Sequence, residues 1–156
     1  MNDAIFLRRA IDLAATHSAD GVFGPFGAVV VRDGEVVGEG WNQVVVTHDP
    51  TAHAEVVAIR DAGRRLGTHS LRGCVLYSSC EPCPLCLAAA YWAGVERVVY
   101  AASSSDAGVA GFADATVYQE IGLPWEARRI PGRQLLREEG KAVLEAWLAN
   151  HRKIPY

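Results

Sequence analysis

Residues 73–101 read GCVLYSSCEPCPLCLAAAYWAGVERVVYA, and several kinds of local structure follow one another in them. Residues 73–79 are a short apolar run that suits a buried strand. Cys80-Glu81-Pro82-Cys83-Pro84 breaks the run, and the alanine-rich residues 85–93 continue as a helix that Gly94 closes. Residues 95–101 then return to strand composition. Strands alternating with helices in this part of the chain predict an α/β layered sheet with parallel members.

Working outward, Asp49-Pro50-Thr51 announces a helix that Ala54, Val57, Ala58, Asp61 and Ala62 carry to about Leu66, with His53 and Glu55 in its first turn. Before it, the valine-rich residues 26–32 and 35–40 flank Asp33-Gly34, the two-residue signal for a tight hairpin, which adds an antiparallel edge pair. Ala4, Phe6, Leu7, Ala10, Ile11 and Ala14 recur at helical spacing and make residues 3–17 an amphipathic helix. Downstream, residues 103–122 carry a weaker pattern, with short helical turns around 114–120. Residues 127–130 read as a last strand, and residues 134–150 as a terminal helix with Leu135, Leu144, Trp147 and Leu148 inward. There is no internal repeat and no linker composition, so residues 1–156 are expected to form one domain.

The bulk properties agree with a soluble globular domain. Half of the 156 residues are apolar and 21% are charged. A chain of this length buries about 70% of its unfolded surface. No apolar run approaches the length that spans a bilayer. Asp3, Arg8, Arg9 and Asp12 interrupt the first sixteen residues, unlike a secretory signal, and a cytoplasmic location is the expectation. A net charge of −3 argues against a polyanionic partner. The cations are nearly all scattered arginines, apart from a looser group at Arg128, Arg129, Arg133 and Arg137.

All four cysteines, at 74, 80, 83 and 86, fall within thirteen residues, which in a cytosolic protein points to metal or redox chemistry before disulfides. Cys83 and Cys86, three apart in the first turn of a helix, share a face near the positive end of its dipole, where thiolates are stabilised. Pro82 and Pro84 are tolerated there because the first turn needs no N–H from them. Cys83, Cys86 and His53 make three zinc ligands, which leaves a fourth position for a catalytic water, and Glu55 is a carboxylate able to move that water's protons. On an ideal helical wheel Glu55 lies nearly opposite His53, so the pair converges only if the metal sits over the end of the helix. The competing reading is a closed structural site of Cys74, Cys80, Cys83 and Cys86. Cys74, inside a strand pattern, reads as a core residue and Cys80 as a packing residue beside the site.

His53-Ala54-Glu55 followed by Pro82-Cys83-Pro84-Leu85-Cys86 resembles the signature of the zinc-dependent nucleobase and nucleoside deaminases, the cytidine deaminase-like superfamily. Phe26-Gly27-Ala28, Trp41-Asn42, Ser79-Cys80-Glu81, Ala90-Tyr91-Trp92-Ala93, residues 110–114 and the ending Ile154-Pro155-Tyr156 look like one branch, the small bacterial guanine deaminases. The resemblance implies a three-layer α/β/α fold with a mixed central sheet of about five strands. It also implies one Zn2+ on His53, Cys83 and Cys86, Glu55 as the proton shuttle, and Asn42 and Asp114 as contacts to the base. Phe26 would offer an aromatic face, and Trp92 could line the pocket besides packing its helix. Asp114 would discriminate among bases, because a carboxylate accepts from the N–H donors of guanine but faces an acceptor nitrogen in adenine.

The resemblance further implies a homodimer in which residues 151–156 are exchanged, so that Tyr156 closes the partner's site. The expected reaction is hydrolysis of guanine to xanthine and ammonia, with an aminotriazine such as ammeline as a possible second substrate. Cytosine deaminase and tRNA adenosine deaminase are the enzyme alternatives, the latter disfavoured by the acidic charge. A zinc-stabilised interaction module is the alternative outside catalysis, and Glu55 speaks against it.

Overall fold

The computed structural model describes residues 2–112 and 115–155, and no helix among them is long and apolar enough to cross a membrane. The chain runs α1 (Asp3–Ser18), β1 (Gly27–Arg32), β2 (Glu35–Trp41), α2 (Val44–Thr47), α3 (Ala54–Leu66), β3 (Cys74–Cys80), α4 (Pro84–Ala93) and β4 (Arg97–Ala102). Then come α5 (Ser104–Val109), α6 (Ala115–Ile121), a 3-10 turn (Trp125–Ala127) and α7 (Arg137–Ala149). Two compact units divide it, residues 1–115 and residues 116–156.

The first unit holds the sheet, in the order β2-β1-β3-β4. Asp33 and Gly34 take φ of 52° and 84°, the two left-handed positions that a type I′ turn needs, and β1 and β2 pair antiparallel on either side of them. β1 also pairs antiparallel with β3, whereas β3 and β4 run parallel with α4 as their crossover. The sheet is therefore mixed, as the resemblance implied, with four strands where about five were expected. Residues 127–130, read from the sequence as a further strand, hold the end of the 3-10 turn and bends. The side chain of Arg128 accounts for the curl: it donates to the carbonyls of Leu123 and Ile121 at 2.8 and 3.0 Å and lies over the ring of Trp125.

Two apolar layers enclose the sheet. Val29, Val31, Val75 and Tyr77 meet Leu13, Phe6 and Leu7 of α1 on one face. Ala28, Val30, Cys74 and Leu76 meet Ala54, Ala58, Ala62, Ala90 and Ala93 of α3 and α4 on the other. The period of two along β1 and β3 thus sorts their side chains between the layers. α3 comes unusually close to β2, because Ala54, Ala58 and Ala62 form a stripe of small residues opposite Gly38 and Gly40. A Cβ on Gly40 would lie 2.3 Å from the carbonyl oxygen of Ala54, and one on Gly38 would lie 2.5 Å from that of Ala58. This close seat fixes the height of the start of α3 above the sheet, where the N-cap residue His53 and Glu55 of the first turn reside.

Asp3, in the first turn of α1, accepts from the buried Tyr77 hydroxyl at 2.7 Å and from both terminal nitrogens of Arg97, tying α1 to β3 and β4. Arg97 and Tyr77 hold the Asp3 carboxyl down at about 2, and burial with the Asp3 contact pushes Tyr77 up to about 12.

The second unit corrects one sequence expectation. No residue of α7 is buried, and Leu135, Leu144 and Leu148, read as inward, are 65%, 68% and 72% exposed, with Trp147 half-buried. About forty residues cannot enclose a core of their own. In the first unit, α4 is apolar all round and leaves Leu85, Tyr91 and Trp92 exposed.

Candidate active site

His53 and Cys83 occupy the N-cap positions of α3 and α4, both with extended backbone, and neither side chain caps its own helix. A serine, threonine, aspartate or asparagine at such a position stabilises a helix by about 1 kcal/mol. Here both positions carry metal-binding side chains that turn toward each other. His53 Nδ1 lies 3.4 Å from each sulfur, and the sulfurs of Cys83 and Cys86 are 3.6 Å apart. Tetrahedral zinc with ordinary bond lengths would need about 3.6 Å between nitrogen and sulfur and about 3.8 Å between sulfurs. The three side chains are accordingly positioned to hold one zinc ion, and they are the cluster of metal-binding type found among the described residues.

The two thiols compete for one proton. Cys83 is held at about 4 by the hydrogen bond with Cys86 and by neighbouring His53, whereas Cys86 is driven up by the same bond, by burial and by Glu55.

Glu55, second residue of α3, is buried at the edge of this cluster. Its Oε2 accepts from Cys86 Sγ at 3.2 Å and its Oε1 from the Ser78 hydroxyl at 3.1 Å. Burial pushes its carboxyl up. The wheel argument that set His53 and Glu55 apart does not apply, because His53 precedes the helix and its extended backbone swings the ring over the helix end.

Phe26, Asn42, His53, Glu55 and Cys83 line one crevice together with Cys80, Glu81 and Phe112. Asn42 is brought to Phe26 by the backbone, its N–H donating to the Phe26 carbonyl at 3.0 Å. Its side-chain oxygen accepts from the Val44 N–H at 3.3 Å. Phe26 meets Phe112 edge to face, centroids 4.8 Å apart. Trp92 is not brought there: it stands 76% exposed on α4 and does not line the crevice. A helix of this composition buries one face on the sheet, and Ala90 and Ala93 take that face. Asp114 and Tyr156 lie outside the described residues.

Sequence reasoning missed three neighbours of the site. Phe112 stood within a quoted motif without a role. Ser78 gave a signal, a polar residue at a position where the strand's alternation calls for an apolar one. Glu81 joins the metal loop to α5, its N–H donating to the Ala102 carbonyl and its carboxylate accepting from the Ser104 N–H, both at 2.8 Å. α5 lies in residues 103–122, where the sequence pattern is weaker and places helical turns only around 114–120, although Ser103 and Asp106 form a reciprocal capping box at its start.

A sheet covered by helices, with two helix N-termini presenting His, Cys and Cys and a buried glutamate beside them, defines a metal-dependent hydrolase site. Residues 1–102 match the family described as the cytidine and deoxycytidylate deaminase zinc-binding region, and the chain belongs to that family as a zinc-dependent aminohydrolase. It is 50% identical to guanine deaminase of Bacillus subtilis (strain 168) over 147 residues, 94% of each chain. The X-ray structure of guanine deaminase from Bacillus subtilis matches it with a TM-score of 0.96 at 49% identity, covering 100% of this chain and 99% of that one. A tRNA-specific adenosine deaminase of Haemophilus influenzae is 38% identical over 110 residues, 70% of this chain and 63% of that protein.

Proposed function

We propose that this chain hydrolyses the free base guanine to xanthine and ammonia. The buried Glu55 carboxylate, 3.2 Å from a metal-ligand sulfur and not itself needed as a ligand, is the observation that carries the chemistry. Likeness to Bacillus subtilis guanine deaminase over nearly the whole of both chains supports the substrate. Zinc held by His53, Cys83 and Cys86 supplies a Lewis acid that makes water a nucleophile near neutral pH.

The protein's own groups do the rest. Glu55 takes a proton from the attacking water and delivers it to N3, the ring nitrogen beside C2 that lacks a hydrogen. It then carries the second water proton to the amino group on C2, which leaves as ammonia. Burial raises its carboxyl, the direction that favours a group which must carry a proton between water and base. Phe26 offers a ring face to the purine, and Asn42 presents amide donors to the base. Asp114 accepts from the N–H edge that distinguishes guanine from adenine.

The same reading extends to assembly. The exposed apolar surface of α4, Leu85, Tyr91 and Trp92, and the uncovered Leu144 and Leu148 of α7 support a homodimer with an exchanged C-terminal segment. Tyr156 then belongs to the partner's site. Ammeline, with a guanine-like amino-amidine edge, is a secondary substrate, and the location is cytoplasmic.

An ammonia-release assay of the zinc-loaded protein on guanine, guanosine, cytosine, adenine and ammeline tests this. Guanine is expected to turn over fastest, with ammeline slower. Turnover of cytosine or adenine with guanine inert would overturn the substrate. Likeness to the tRNA-specific adenosine deaminase motivates one further arm, in which activity on a tRNA anticodon stem-loop that falls steeply with salt replaces the free-base reading.

A further inference from the structure

We propose that Ser78 is the positioning residue of the proton shuttle: its hydroxyl anchors one oxygen of Glu55 so that the other stays aimed at the metal-binding cluster. This rests on the role given to Glu55 above. β3 sends alternate side chains to the face covered by α3 and α4, and Cys74 and Leu76 join the apolar cluster there. Ser78 is next in that alternation and is 1% exposed. An enclosed strand position in an apolar layer calls for an apolar residue, since an unpartnered hydroxyl there is costly.

Ser78 finds its partner in Glu55. These two are the buried polar residues among the described residues, and they are bonded to each other. Glu55 Oε1 is held by the Ser78 hydroxyl from the sheet, and its own backbone N–H is a further contact; Oε2 lies 3.2 Å from Cys86 Sγ, which donates to it only while that sulfur carries a proton and not as a metal-bound thiolate. A glutamate side chain turns about several torsions, and a second anchor fixes the plane of its carboxylate. Loss of the hydroxyl would leave Oε1 buried without its strand-side donor and let the carboxylate turn away from the water and the base. Because Ser78 does not line the crevice, the effect falls on the chemical step and not on substrate affinity.

Thr and Val at this position have nearly the same shape and differ in the hydroxyl. Ser78→Thr is expected to keep kcat within about threefold, and Ser78→Val to lower it by about tenfold or more, the loss appropriate to a hydrogen bond on a charged group. KM should stay within about twofold and zinc content unchanged in both. If both variants fall together, or if KM rises while kcat holds, the inference is overturned. Should the added methyl prevent folding, Ser78→Cys and Ser78→Ala replace the pair. A kcat order of Ser, Cys, Ala with unchanged zinc and circular dichroism supports the role, and equal kcat for Cys and Ala overturns it. Glu55→Gln separates the two levels: if it keeps zinc and turnover, the shuttle reading fails and Ser78 with it, whereas an inactive Glu55→Gln beside a fully active Ser78→Val overturns Ser78 alone.

Discussion

The carboxamide of Asn42 lies against the bare Cα of Gly24. A Cβ added there would stand 3.0 Å from the amide carbon and 3.1 and 3.3 Å from its oxygen and nitrogen. Gly24 has no positive φ, so alanine is accessible to its backbone, and the three nearest atoms to the added Cβ all belong to Asn42. Gly24→Ala should therefore raise KM for guanine by about fivefold to tenfold, near the worth of one hydrogen bond, with kcat and zinc content little changed. In an Asn42→Ala background the same change should add nothing, and an equal KM penalty in both backgrounds would show that Gly24 acts by another route. The metal-binding side chains were legible in the sequence because chemistry demands those residue types at short spacing. Ser78 and Gly24 were not, since each serves the site through one neighbour that only the fold supplies. His53 stands between these cases: its identity was legible, but the capping preference of Asp49 and Thr51 drew the expected helix start upstream and hid its extended backbone.

The hairpin, the helix that precedes it and the strand-helix-strand run after residue 73 could be read because local pattern and tertiary role agree in them. In α5 and at residues 127–130 they do not: a capping box one turn long is outweighed by serine composition, and Arg128 folds back over Trp125 where a strand would have extended. α1 shows how one side chain joins such elements. Its stability contribution runs through Asp3, whose carboxyl is lowered to about 2, so that contribution is fully present above the ordinary carboxylate range and is lost as pH falls from about 4 toward 2. The urea midpoint of the wild type should exceed that of Asp3→Asn by a constant amount near neutrality, and the gap should close across that window. The difference between the two proteins removes the parallel effects of Asp49 and Asp106, whose carboxyls are also lowered. A gap that persists undiminished to pH of about 2 would show that Arg97 and Tyr77 do not act through the Asp3 charge.

Across the whole chain, the second unit has the composition of a packed helix and the exposure of an unpacked one, because an apolar stripe on α7 states that something covers it without saying what. The exchanged segment proposed above would resolve this with a second copy of the chain, and it makes a prediction that a tail folding back on its own subunit does not. Deleting residues 154–156 should lower kcat/KM for guanine by at least about tenfold while moving Tm by less than about 2 °C, since Ile154 and Pro155 are exposed and so short a segment contributes little to stability. The truncated chain keeps Glu55 but lacks the closing tail, and full-length Glu55→Gln keeps the tail but lacks the shuttle. Co-refolded in equal amounts, they should regain about a quarter of wild-type activity, because half of the dimers would be hybrids and each hybrid would assemble one complete site. Neither protein alone should do so. Recovery at the level of the separate proteins, with hybrid dimers demonstrated by mass, would place the tail in its own subunit's site and remove the reason for exchange.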